Sequence, residues 1–95
     1  MLILTNVMEH VVLETIEEIF NSDNCKDACH CERCRLDIAA IVLNTLPPTY
    51  VVTYEGEVKK RSYALVIQYK ADIVREVTRA MQTVASRVHH DRENG

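Results

Sequence analysis

The sequence predicts a mainly α protein: a small three-helix domain with a cysteine loop between helices 1 and 2 and a short β-hairpin or extended arm between helices 2 and 3. Three observations carry this. Apolar residues recur at helical spacing in three long stretches. Only two Gly and two Pro occur in 95 residues, which leaves little room for the tight turns of a large β architecture. All four cysteines fall within ten consecutive residues, Cys25 to Cys34, at the boundary between the first two stretches. A chain of this length is expected to form one domain, residues 1–95, with residues 90–95 as a mobile polar tail. Such a domain has a marginal core and often needs a staple or a partner, and its apolar content of 47% suffices for a core and an interface.

In the first stretch Met8, Val11, Val12, Ile16, Ile19 and Phe20 form the apolar stripe, and Glu9, Glu14, Glu17 and Glu18 occupy the other face. Asn6 is placed to cap this helix, with Glu9 three residues on as in a capping box. Asn21-Ser22-Asp23-Asn24 ends it. The N-terminus, Met1 to His10, shows no basic region, long apolar core or small-residue cleavage site, so the chain is expected to be cytoplasmic.

The cysteines are spaced C-x3-C-x-C-x2-C, at Cys25, Cys29, Cys31 and Cys34. Four thiolates can hold a Zn²⁺ ion tetrahedrally at about 2.3 Å. Cys31 and Cys34 stand three apart at the expected start of the second helix, so both sulfurs fall on one side of its first turn. Lys26, Arg33 and Arg35 and the helix N-terminus offset the negative charge of such a centre. Disulfides, an iron–sulfur cluster and redox-active thiols are the competing explanations. Disulfides would close loops of at most about ten residues and stabilise little. The spacing matches neither common ferredoxin pattern, and the flanks lack a thioredoxin-like βαβ context. His30 reads as a solvated loop residue or a replacement ligand.

The second helix is expected from about Cys31 to Leu46, with Leu36, Ala39, Ala40, Leu43 and Leu46 buried and Pro47-Pro48 as its stop. Asp37 and Asn44, on another face, read as braces for the adjacent loop. Thr49 to Tyr54 has the β-branched and aromatic composition of a strand. Glu55-Gly56 supplies a turn, and Glu57 to Arg61 is expected to return as a second short strand. From Ser62 to about His89 runs one long helix with Ile67, Ile73, Val74, Val77, Ala80, Met81, Val84, Ala85 and Val88 as its stripe. At roughly 40 Å it exceeds the width of a globule of this mass, so part of it is expected to pack on a second copy of the chain. No apolar segment approaches the roughly 20 residues that span a bilayer.

The net charge of −3 divides unevenly, −5 over residues 1–50 and +2 over residues 51–95. Direct nucleic-acid binding is therefore not expected, and any anionic partner should dock on the second half.

Read together, Cys31-Glu32-Arg33-Cys34-Arg35-Leu36-Asp37 and Leu43-Asn44-Thr45-Leu46-Pro47-Pro48-Thr49-Tyr50-Val51-Val52 resemble the ComFB family, the late-competence proteins of bacteria. The resemblance covers most of the chain, and C-x-x-C-R-x-D followed by L-N-x-L-P-P-x-Y-V-V is far more specific than a cysteine pattern alone. It implies a small, mostly helical, homodimeric, non-enzymatic protein with a zinc held by cysteines, here Cys25, Cys29, Cys31 and Cys34. It further implies a receptor for cyclic dinucleotide second messengers such as cyclic di-GMP or cyclic di-AMP, linked to competence, motility or pili.

Such a ligand carries two phosphates and two flat bases, which call for Arg or Lys donors beside aromatic faces. Lys59, Lys60 and Arg61, interleaved with Tyr50 and Tyr54, are the candidate contacts; the plainer reading is a solvated strand with half-buried tyrosines. Arg75 and Arg79 form a second basic pair, expected to be engaged by Asp72 and Glu76. The alternative function is a zinc-stapled protein–protein interaction module in late competence with no small-molecule ligand. Nothing in the sequence resembles Ser/His/Asp machinery or a phosphate-cradling glycine loop, so no enzyme is expected.

Overall fold

A computed structural model of the chain describes residues 1–22 and 31–85. Within them the order is β1 (Leu2–Asn6), α1 (Val7–Phe20), α2 (Glu32–Thr45), β2 (Tyr50–Tyr54) and α3 (Val58–Ala85). α3 packs against both other helices and α1 touches α2, while β1 and β2 form a two-stranded antiparallel sheet. No helix among the described residues is long and apolar enough to cross a membrane.

α1 has the limits and buried stripe that its periodicity predicts. Asn6 sits in extended backbone (φ −87°, ψ 102°) and its side chain accepts the N–H of Met8 at 3.2 Å, satisfying one of the donors a helix start leaves open. The same Oδ1 accepts the N–H of Thr49 at 2.8 Å, and Val7 donates to the Thr49 carbonyl at 2.9 Å. One side chain thus caps α1 and anchors the entry to β2.

The partner of β2 corrects the expected hairpin. β2 pairs with β1 in the register Leu2↔Tyr54, Leu4↔Val52 and Asn6↔Tyr50, and residues from Val58 onward are helical. The turn after Tyr54 explains this. Glu57 donates to the Tyr54 carbonyl at 3.0 Å around Gly56, whose φ of 95° is a conformation that favours glycine at the third position of a type II turn. That turn does not match the twist of paired strands, so the chain leaves the sheet. Lys59, Lys60 and Arg61, good helix formers, then open α3, with Arg61 donating to the Glu57 carbonyl at 3.0 Å.

α2 also buries a different face from the one expected. Cys34, Ile38, Ala39 and Val42 are in the core, whereas Leu36 and Ala40 are exposed and Leu43 and Leu46 are half-buried. The helix carries two apolar stripes about half a turn apart, and packing on α1 and α3 selects one. Asn44 bonds back to the Ala40 carbonyl at 2.8 Å, so it braces its own helix and not the following loop. In α3 the buried set is Ser62, Ile73, Val77, Ala80 and Val84, while Ile67 is 74% exposed. Its 28 residues match the molecule's 42 Å long axis. The expected end of this helix near His89, and Val88, lie outside the described residues.

Replacing Asn6 by Ala deprives two backbone N–H groups of their acceptor and is expected to cost about 1–2 kcal/mol, with Asn6→Asp retaining most of the stability. Urea denaturation of the three proteins checks this.

Candidate metal centre and basic turn

The last turn of α1 and the first turn of α2 form one corner of the molecule. Cys31 is the N-cap of α2, with extended backbone (φ −70°, ψ 164°), and its sulfur accepts the Cys34 N–H at 3.4 Å. Arg35 N–H donates to the Cys31 carbonyl at 3.0 Å. Cys34 is 2% exposed against the core, and Cys31 is half-buried beside it. A sulfur that receives a backbone N–H at the positive end of a helix is suited to carry thiolate charge. Arg35, next to Cys34 in sequence, pairs with Glu17 of α1 and lies 5.6 Å from the centre of the Phe20 ring. Arg33 pairs with Asp37 at 3.8 Å one turn on.

These two cysteines therefore fit half of a tetrahedral thiolate centre. The other two candidate ligands, Cys25 and Cys29, lie outside the described residues, as do Lys26 and His30. Among the described residues no group of three metal-binding side chains converges.

The candidate nucleotide residues occupy a second region. Lys59, Lys60 and Arg61 are exposed on the first turn of α3, a turn without an acidic side chain. Tyr54 and Tyr50 are exposed on β2. Tyr54 is one tight turn from α3, whereas Tyr50 lies four strand residues further away, about 14 Å. The structure thus brings Tyr54 to the basic turn and leaves Tyr50 apart from it. Arg75 and Arg79 are engaged as the sequence predicts: Arg75 pairs with Asp72 at 3.1 Å and Glu76 at 3.3 Å, and Arg79 with Glu76 at 3.5 Å. The hydrogen bond to Glu76, and then the charge of Asp72, hold the Arg75 guanidinium above its usual pKa.

The family model for the late competence development protein ComFB matches residues 5–88. The chain belongs to the ComFB family. Among solved structures it is similar to the late competence protein ComFB from Bacillus subtilis, at 26% identity over 88% of this chain and 90% of that one, with a TM-score of 0.72. No curated protein matches significantly. Membership places this ComFB chain among competence-related regulatory proteins, which are not a known enzyme family.

Sequence reasoning missed two features of these regions. One is the link from Arg35 to Glu17 and Phe20, since the acids of α1 read as a plain solvated face. The other is β1, whose Leu-Ile-Leu run shows no polar alternation because both faces of the strand are apolar or half-buried. Because the Arg35 side chain remains partly exposed, its ion pair is worth well under ~1 kcal/mol. Arg35→Met, which keeps the aliphatic stem, is expected to lose less stability than Arg35→Ala, and chemical denaturation distinguishes the two.

Proposed function

We propose that this ComFB protein is a non-enzymatic regulator, stapled by one structural zinc, that senses a cyclic dinucleotide through the first turn of α3 and the Tyr54 ring. The carrying observation is the set of three exposed cations, Lys59, Lys60 and Arg61, at the N-terminus of a 28-residue helix, engaged by no ion pair among the described residues. Cations there oppose the helix dipole, each by roughly 0.3–1 kcal/mol, and a bound phosphate relieves that opposition. The N–H groups preceding Arg61 in this turn have no acceptor within the helix and can be donated to a phosphate. An exposed aromatic ring one turn away offers a base its stacking surface.

Titrating the zinc-loaded protein with cyclic di-GMP and with cyclic di-AMP tests the ligand. A binder at 100 times its Kd adds about 2.7 kcal/mol, which for a domain of this size raises Tm by roughly 10–20 °C. Replacing Lys59, Lys60 and Arg61 together by Ala should abolish the rise without lowering the unliganded Tm. No heat and no Tm shift with either compound would instead favour an interaction module without a small ligand, a reading supported by the exposed apolar face of the sheet.

For the zinc, Cys25, Cys29, Cys31 and Cys34 would be the ligands, and the ion would join the end of α1 to the start of α2. Cys31→Ser separates this from a metal-free corner. Serine is a favoured N-cap, so without a metal the substitution is neutral or slightly stabilising. With zinc it should release the ion and lower Tm markedly, as read by elemental analysis and thermal unfolding.

A further inference from the structure

Leu46, Pro47 and Thr49, from the centre of the L-N-x-L-P-P-x-Y-V-V motif, belong to neither region described above. With Met8 of α1 and Tyr69 and Asp72 of α3 they line a cavity of about 180 Å³. Its walls are held by bonds that leave the cavity free. Leu46 donates its N–H to the Val42 carbonyl at 2.9 Å, and the ring of Pro47 fixes the backbone that follows. Thr49 is tied through both backbone groups, donating to Asn6 at 2.8 Å and accepting from Val7 at 2.9 Å. Tyr69 and Asp72 share one face of α3. A site set in this way loses little freedom when it is filled.

The cavity is apolar except at one edge. There Asp72 gives Oδ1 to Arg75 at 3.1 Å, and its Oδ2 has no partner among the described residues. An ionised carboxylate accepts about four hydrogen bonds, so capacity remains. Arg75 is shared with Glu76 at 3.3 Å, and Glu76 also receives Arg79 at 3.5 Å. Among the described residues no Lys or Arg lines the cavity. Met8, Leu46, Pro47 and Thr49 belong to residues 1–50, the half of the chain with an excess of acids.

We propose that this cavity binds an alkylguanidinium group, carried by an arginine side chain of a protein partner or by a small free guanidine. Size is the first reason. An apolar cavity of about 150 Å³ accommodates benzene, so this one suits the roughly seven non-hydrogen atoms of an arginine side chain. It falls short of the roughly 300 Å³ at which pockets for drug-sized ligands begin, which excludes a dinucleotide. Chemistry is the second. Met8, Leu46 and Pro47 take the methylenes, Tyr69 supplies an aromatic side chain, and Asp72 accepts the N–H groups. A guanidinium is more weakly hydrated than an ammonium and pairs with a carboxylate in a planar fork, so this largely apolar site favours arginine over lysine. The basic turn is a separate place, since Tyr69 lies about 12 Å along α3 from Arg61. The site therefore depends on neither the zinc nor the dinucleotide.

Titrating the isotope-labelled full chain with butylguanidinium at constant ionic strength, followed by amide NMR, tests the proposal. The signals of Met8, Thr49, Tyr69 and Asp72 are expected to shift together with a millimolar Kd, as befits a fragment of this size. Neutral butylurea, of nearly the same shape, should bind at least tenfold more weakly. Asp72→Asn should weaken butylguanidinium at least tenfold with the circular dichroism spectrum unchanged, since Arg75 keeps Glu76. A blocked Ala-Arg-Ala peptide that binds within tenfold of butylguanidinium assigns the site to a protein partner, and a weaker peptide assigns it to a free guanidine. The proposal is overturned by a wild type that shows no shift at about 50 mM butylguanidinium, by butylurea binding as tightly, or by an Asp72→Asn protein that binds unchanged.

Discussion

Burial of α1 between α2 and α3 is the constraint on which the rest of the structure depends. Val11, Val12 and Ile16 are inaccessible, and they meet Ile38 and Val42 of α2 and Ile73 and Val77 of α3 in one cluster. Each such side chain contributes about 1.5–3 kcal/mol on leaving water. Thr15 shares this interior because its hydroxyl donates to the Val11 carbonyl at 2.9 Å, which leaves no unmet donor. The acids on the other face of α1 are also used: Glu17 pairs with Arg35 of α2, and Glu18 with Lys70 of α3 at 2.6 Å. Exposed pairs of this kind add little energy to that burial.

The cysteine corner lies at the end of α1, and the sheet joins that helix at its start, about 20 Å away along the helix axis. At the start of α1, Asn6 joins the helix to the sheet; at its end, Phe20 and Glu17 receive Arg35 beside the Cys31–Cys34 turn. The cysteine corner places the Cys31 sulfur against the first N–H groups of α2. The sheet end combines an uncharged apolar face with a cationic turn. A small protein with one core thus presents two distinct surfaces, a cysteine-bearing helix corner and an apolar sheet face beside exposed cations.

Where periodicity had a single solution, the sequence was legible. α1 appears with its expected ends because Asn6 and Asn21 bracket one unambiguous stripe, and Arg75 and Arg79 find the acids placed one turn away. The C-x-x-C-R-x-D and L-N-x-L-P-P-x-Y-V-V motifs identified the family, which the match over residues 5–88 establishes. Where local signals had two solutions, they failed. Leu36 and Ile38 are equally apolar, and no spacing rule says which of them faces α1. Lys59, Lys60 and Arg61 follow a strand and a turn, and the helical outcome depends on a turn geometry that does not return the chain to the sheet.

The sequence by itself determined the helical class, the family, the caps and breaks, and the clustering of the cysteines, because these follow from local spacing and from side chains acting on their own backbone. Only the tertiary structure decided that the first five residues after Met1 pair with β2, which face of α2 is buried, and that Tyr54 without Tyr50 stands beside the basic turn. Each of those outcomes joins residues far apart in the chain, and their energies come from surfaces that exist only once α1 has been enclosed.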